Sequence, residues 1–311
     1  MNQINISQVV LWGHKLHTSQ HSYIHYGFYK ALQEFGYIVL WLDKDDNVTN
    51  IDFSNSLFIT EGQVDKNIPI IDNCYYVLFN CDLTKYKWKD IKVLLLRVYT
   101  KECERNVRLK KIDNYVYYED ASIYNEFPTL YMPWATDLLP YEIDENIKNI
   151  DDILDNSKKV VNFIGTFTNE QSFVRFFCIL NDLKFNKFGG EFNKTNVGFK
   201  THQYLIQNSY IAPAIQSEFQ VNHGYIPCRI FKNISYGKMG ITNSLAVAEF
   251  FNGNLIYNSD ILKTLALGVE FEKMDKETKK SRILFLMEYV KQNHTYLNRI
   301  KVLFKSLNRI I

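Results

Sequence analysis

Short apolar runs separated by polar, glycine-bearing turns set the rhythm of the chain. Residues 9–13 (VVLWG), 38–42, 57–60, 75–79, 93–98, 115–118 and 129–132 are each four to six residues long and predominantly apolar. Runs without alternation suit strands buried on both faces of a parallel sheet. Between the first two, residues 21–37 place Tyr23, Ile24, Phe28, Ala31, Leu32 and Phe35 near helical spacing. The pattern predicts an α/β fold in which strands and helices alternate.

Residues 140–157 (PYEIDENIKNIDDILDNS) turn acidic before a strong apolar strand at Val160, which predicts a linker there. The first domain is then residues 1–150 and the second 158–275. Residues 276–311 carry Ile283, Leu286, Met287, Val290, Ile300 and Leu303 between Lys and Arg residues. They predict a helical terminal segment joining the two domains. A chain of 311 residues exceeds the usual single core and fits two domains of roughly 150 residues.

Composition narrows the classes of partner. With 36 basic and 34 acidic side chains the formal charge is +2, so no global field draws the protein onto nucleic acid, and no nucleic-acid partner is expected. The five cysteines are odd in number and lack CxxC spacing, which predicts free thiols in a reducing compartment. No run approaches the length of a membrane span, and a soluble, cytoplasmic protein is expected.

The most informative stretch is Gly224–Ser244, GYIPCRIFKNISYGKMGITNS. Pro227 suits a first helical turn, Arg229 and Lys232 lie three apart on one face, and Gly237 suits a helix end. Two cations near a helix N-terminus make a site for a diphosphate. Arg229, Phe231, Lys232, Ser235 and Gly237, followed by an apolar strand, resemble the donor-binding helix of GT-B glycosyltransferases. The spore-maturation-protein-like and group 1 branches are the nearest in pattern. Lys232 stands where these families usually carry a glutamate. The resemblance runs from about Val160 to Leu265, with its parts in the expected order.

That resemblance implies two Rossmann-like domains facing a cleft, with a long C-terminal helix bridging them. It also implies transfer of a sugar from a nucleotide-diphosphate sugar to a hydroxyl of an oligosaccharide or glycan acceptor. The nucleotide sugar is then a co-substrate, and neither a cofactor nor a metal is called for. The expected donor contacts are Arg229 and Lys232, Gly165 and Thr166 in the loop after the Val160 strand, and Asn222 and Tyr225 just before the helix. Glycine at 165 lets backbone N–H groups approach a phosphate. An epimerase-type enzyme acting on nucleotide sugars and a non-catalytic glycan- or protein-binding module are the alternatives.

Candidates for the proton acceptor follow the strands of the first half, because ligands of open α/β sheets sit beyond the carboxyl ends of the strands. The loop after the first strand holds His14, His17 and His21. His17 is the first choice of base and His14 the second, since an imidazole titrates near neutrality. The histidine spacing is open to a metal, but no carboxylate or cysteine accompanies it in the sequence. Glu61, followed by Gly62, is the carboxylate candidate, and Asp82 occupies the corresponding place one strand later. Asp43-Lys44-Asp45 matches the DxD spacing of metal-dependent transferases only trivially. There is no P-loop, kinase set, GxGxxG or nucleophile elbow.

Overall fold

The computed structural model describes residues 5–15, 20–87, 90–99, 109–112, 115–118, 127–165, 169–189 and 197–309. The strands are β1 (Gln8–Trp12), β2 (Val39–Leu42), β3 (Ser56–Glu61), β4 (Tyr75–Phe79), β5 (Lys92–Arg97), β6 (Leu109–Ile112), β7 (Tyr115–Tyr118), β8 (Thr129–Tyr131), β9 (Val160–Ile164), β10 (Lys184–Phe188), β11 (Ile241–Thr242) and β12 (Ile256–Tyr257). The helices are α1 (Gln20–Glu34), α2 (Pro140–Lys148), α3 (Ile150–Asp155), α4 (Asn169–Leu180), α5 (Phe199–Gln207), α6 (Glu218–Asn222), α7 (Cys228–Ser235), α8 (Leu245–Phe250), α9 (Ile261–Glu272), α10 (Lys276–Asn293) and α11 (Tyr296–Leu307). The chain divides into two compact units. One takes residues 1–16, 24–133 and 296–311, and the other residues 17–23 and 134–295.

In the first unit the described strands form one sheet in the order β2-β1-β3-β4-β5-β8-β7-β6. The six strands from β2 to β8 are parallel, while β7 and β6 are added antiparallel. The apolar runs explain this burial: Val9, Val10, Leu11, Leu57, Phe58, Val77 and Leu94 are fully buried. In α1, Ile24, Phe28, Ala31 and Leu32 form the buried stripe that the helical spacing predicts. Phe35 lies beyond the helix and is exposed.

In the second unit β10 pairs with β9 and β11 with β12, all parallel. Residues 210–214 lie between the two pairs. Tyr210 N–H donates to Val160 O, Ala214 N–H donates to Ile241 O, and Pro213 bridges Ile241. The spatial order is therefore β10, β9, residues 210–214, β11, β12. It repeats the β2-β1-β3-β4-β5 order of the first unit. In such doubly wound sheets the order reverses between the first strand and the third, and the crevice at their carboxyl ends is the binding position.

Two expectations are corrected here. The acidic segment 140–157 is no linker but the helices α2 and α3, with Pro140 at the first position of α2. Ile143, Ile150, Ile153 and Leu154 are buried in the same core as Ile283, Leu286, Met287 and Val290 of α10. The acids occupy the outer face, where Asp144, Asp151 and Asp155 meet Lys291, Lys280 and Lys276 at 2.7, 2.6 and 2.7 Å. The terminal segment is likewise not one long helix. It breaks at His294–Thr295, where Thr136 N–H donates to His294 O, and gives α10 to the second unit and α11 to the first. Among the described residues no helix is long and apolar enough to cross a membrane.

One buried cation of the second unit gives a testable pH dependence. Lys238 is 2% exposed, with Nζ 3.4 Å from Ser157 Oγ. Burial brings its pKa down from 10.5 to about 8. Between these values the unfolded chain holds a proton that the folded chain has lost, so this residue's contribution to stability rises with pH across the window. Below about pH 8 the burial cost is present in full. Lys238→Met is therefore expected to be more stable than the parent at about pH 7, by up to about 3 kcal/mol, with the gap closing toward pH 10.5. Denaturant titrations of both proteins at the two pH values check this. A Met variant less stable at neutral pH would contradict it.

Candidate functional site

In the first unit the crevice position falls at the carboxyl ends of β1 and β3, and two buried titratable side chains meet there. Gly13 (φ +91°) and His14 (φ +51°) turn the chain sharply out of β1. A Cβ at Gly13 would stand 2.2 Å from Val64 Cγ2, so only glycine fits. His14 and Glu61 are each 3% exposed, and His14 Nε2 lies 2.5 Å from Glu61 Oε1. His25 of α1 donates from Nδ1 to Gly13 O at 2.8 Å, and its ring meets that of His14 edge-on at 5.3 Å. Gly62 permits the turn after β3, since a Cβ there would lie 2.0 Å from Asn80 O.

Sequence spacing alone set no carboxylate beside the histidines. The parallel pairing of β1 with β3 supplies Glu61, 47 residues along. A non-glycine residue at positive φ is uncommon and, where buried and tied down, points to a site. His17, the first choice of base, lies outside the described residues. Asp82 caps a short 3-10 turn and accepts from Thr84 N–H and Oγ1–H. Its structural duty accounts for it.

In the second unit the corresponding crevice lies at the ends of β9 and residues 210–214, and Arg229 occupies it. Nη2 donates to Ile164 O at 3.2 Å and Nη1 to Ile215 O at 3.5 Å, while Cζ stands 4.5 Å from the centre of the Phe163 ring. Every other residue of α7 is buried, while Arg229 is half-buried. Burial holds its pKa below the usual value, yet a guanidinium stays charged at any physiological pH. Among the described residues no carboxylate pairs with it. Gly165 is required beside it, because its φ of +135° is one that residues bearing a Cβ rarely adopt.

Lys232, one turn further on, is 4% exposed. Its ammonium stands 3.1 Å from His202 Nδ1 and 3.6 Å from the centre of the Tyr23 ring. Burial lowers its pKa, opposed by the charge of Asp137. Pro227 sits at the cap position just before α7 rather than inside its first turn. Gly237 (φ +91°) ends the helix as its spacing predicts. Its N–H donates to Ile234 O and that of Lys238 to Asn233 O, the double bond of a glycine-terminated helix.

Tyr225 is buried, and its carbonyl accepts from Gln216 Nε2 at 2.8 Å. Asn222 ends α6 and is exposed, and Thr166 lies outside the described residues. Sequence reasoning missed Gln216 and Asn243, which lock the crevice backbone. Gln216 N–H donates to Asn243 Oδ1 at 2.9 Å, and Asn243 Nδ2 returns a bond to Gln216 O at 3.0 Å. It also missed His202. No local pattern marks any of the three.

No protein-family model matches the chain, and no curated protein does. A solved structure is similar: an alpha-glucosyltransferase in complex with UDP and a 13-mer DNA containing a HMU base. The TM-score is 0.58 at 9% sequence identity, with 98% of this chain and 100% of that chain covered. At that identity the likeness is one of fold, and it establishes a glycosyltransferase-like α/β fold here. It also corrects the exclusion of nucleic acid. A protein of this fold holds DNA, so a formal charge of +2 is no ground for ruling such a partner out.

Proposed function

We propose that the protein is a glycosyltransferase of the two-domain GT-B kind that takes a sugar from a nucleotide-diphosphate sugar. The observation that carries this reading is the cationic helix α7 at the crevice of the second unit. Lys232 is buried there and Arg229 half-buried, with no carboxylate paired to either among the described residues. Cations withdrawn from water are costly unless opposite charge balances them, and Asp137, whose charge reaches Lys232, forms no ion pair with it. A diphosphate answers both cations, and Gly165, lacking a Cβ, would let backbone N–H groups approach it.

As the glycosidic bond breaks, negative charge grows on the departing phosphate oxygen. A fixed guanidinium and ammonium stabilise that state more than the ground state, so the reading needs no metal or cofactor. In the first unit, the buried His14–Glu61 pair is the proposed acceptor of the hydroxyl proton. The Glu61 carboxylate beside His14 Nε2 would support the imidazolium that forms when the ring takes the proton. The free thiols Cys74, Cys81, Cys178 and Cys228 suit the cytoplasm, where nucleotide sugars are at hand. UDP-glucose is the first donor to try, and DNA bearing the HMU base the first acceptor, both on the strength of the similar fold.

A panel of UDP-, GDP- and ADP-linked sugars, read by thermal shift and by nucleotide release, tests the proposal. Stabilisation by one nucleotide and slow release from its sugar conjugate are expected. Conversion of the sugar without nucleotide release, or no response to any member, would overturn it.

A further inference from the structure

The Lys232 ammonium is buried, and the groups that touch it are uncharged. His202 of α5 is 6% exposed and offers Nδ1 at 3.1 Å, and the Tyr23 ring offers its face. The carboxylate whose charge reaches Lys232, Asp137, is engaged by Tyr236, whose hydroxyl donates to its two oxygens at 2.7 and 3.0 Å. His202 is itself held by rings, edge-on to Tyr23 at 4.8 Å and to Tyr236 at 5.8 Å. Tyr23 is fixed in turn by its hydroxyl, which donates to Val197 O, and by Phe199 at 4.7 Å.

We propose that His202 is a positioning residue for Lys232, its neutral imidazole accepting the ammonium's hydrogen bond and aiming it at the diphosphate of the donor. The inference rests on the donor-site reading above.

The choice of histidine has a physical logic. An acid at this position would accept the same hydrogen bond but would also neutralise the ammonium, leaving little charge for phosphate. An apolar residue would leave a buried ammonium without an acceptor, and the flexible lysine would swing away or lose its proton. A neutral imidazole orients the cation and leaves its charge unspent. For this the ring must stay unprotonated beside two cations. Burial, and then the charges of Lys232 and Arg229, hold the His202 pKa well below its ordinary value. With Nδ1 as acceptor, the ring proton sits on Nε2.

The test is UDP affinity by calorimetry in a set of variants whose thermal midpoints are also measured. His202→Phe keeps a ring among Tyr23, Phe199 and Tyr236 but removes the acceptor, and it should bind UDP roughly ten-fold more weakly or worse. His202→Asn restores an acceptor at the same reach and should recover most of the affinity, which a purely packing role would not produce. In a Lys232→Met background, His202→Phe should cost nothing further, because the residue acts through the lysine. A Phe variant that binds as the parent does, an Asn variant as weak as Phe, or full additivity with Lys232→Met would overturn the proposal.

Should the Phe variant not fold, His202→Asp decides. It keeps the hydrogen bond but quenches the charge, so affinity should fall, and unchanged affinity overturns the proposal. Arg229→Ala separates this inference from the reading beneath it. If Arg229→Ala binds UDP as the parent does, or the parent binds none of UDP, GDP and ADP, the donor-site reading fails. If Arg229→Ala weakens binding and the His202 series does not, only the role of His202 fails.

Discussion

Arg229→Ala is expected to weaken UDP binding by roughly ten- to a hundred-fold, the worth of a charge-assisted contact of about 1.5 to 3 kcal/mol. The fold should survive, because the guanidinium contributes only carbonyl contacts and the face of one ring to the surrounding structure. Arg229→Lys should recover little, since an ammonium cannot reproduce the planar fork. Calorimetric titration with UDP, beside a thermal melt, checks both statements. Unchanged affinity at an unchanged melting temperature would remove the second-unit crevice as the donor site.

Glu61→Gln is expected to lower turnover by roughly a hundred- to ten-thousand-fold while UDP affinity stays near that of the parent. The amide keeps the volume of the carboxylate and a hydrogen bond to His14 but loses the charge that supports an imidazolium. His14→Ala should behave alike, and the double variant should be little worse than either single one, because the two side chains act as one unit. Steady-state rates at saturating donor, set against calorimetric affinities, measure the split. Full turnover in Glu61→Gln would mean that the acceptor proton leaves by another route. Loss of UDP binding there would mean that the donor site has been assigned to the wrong unit.

How far the sequence could be read depended on the range of the interactions involved. The parallel strands were legible because burial on both faces leaves a continuous apolar run that needs no partner to be recognised. β6 was not, since Lys110 and Lys111 interrupt its pattern, and neither was β10, with Lys184 and Lys187 in five residues. Arg229 and the turn at Gly237 were legible because helix spacing and glycine termination are local rules.

The pairs of the proposed sites are set by topology instead. His14 and Glu61 lie 47 residues apart and His202 and Lys232 lie 30 apart. Only sheet order and helix placement bring them together. The acidic segment misled for the same reason. It reads as solvated linker until α10, 121 to 147 residues further on, supplies the lysines that meet its outer face and the apolar residues that bury its inner one.

Transfer of a sugar from a nucleotide carrier to an acceptor hydroxyl, as proposed for this chain, adds a fixed mass to the acceptor that mass spectrometry reads. The purified protein is incubated with UDP-glucose and a DNA duplex containing the HMU base, with an unmodified duplex and an oligosaccharide alongside. One acceptor should gain the mass of a single hexose residue in step with UDP release, and Arg229→Ala should slow both. Intact acceptors throughout, repeated across the donor panel with no nucleotide released, would contradict it.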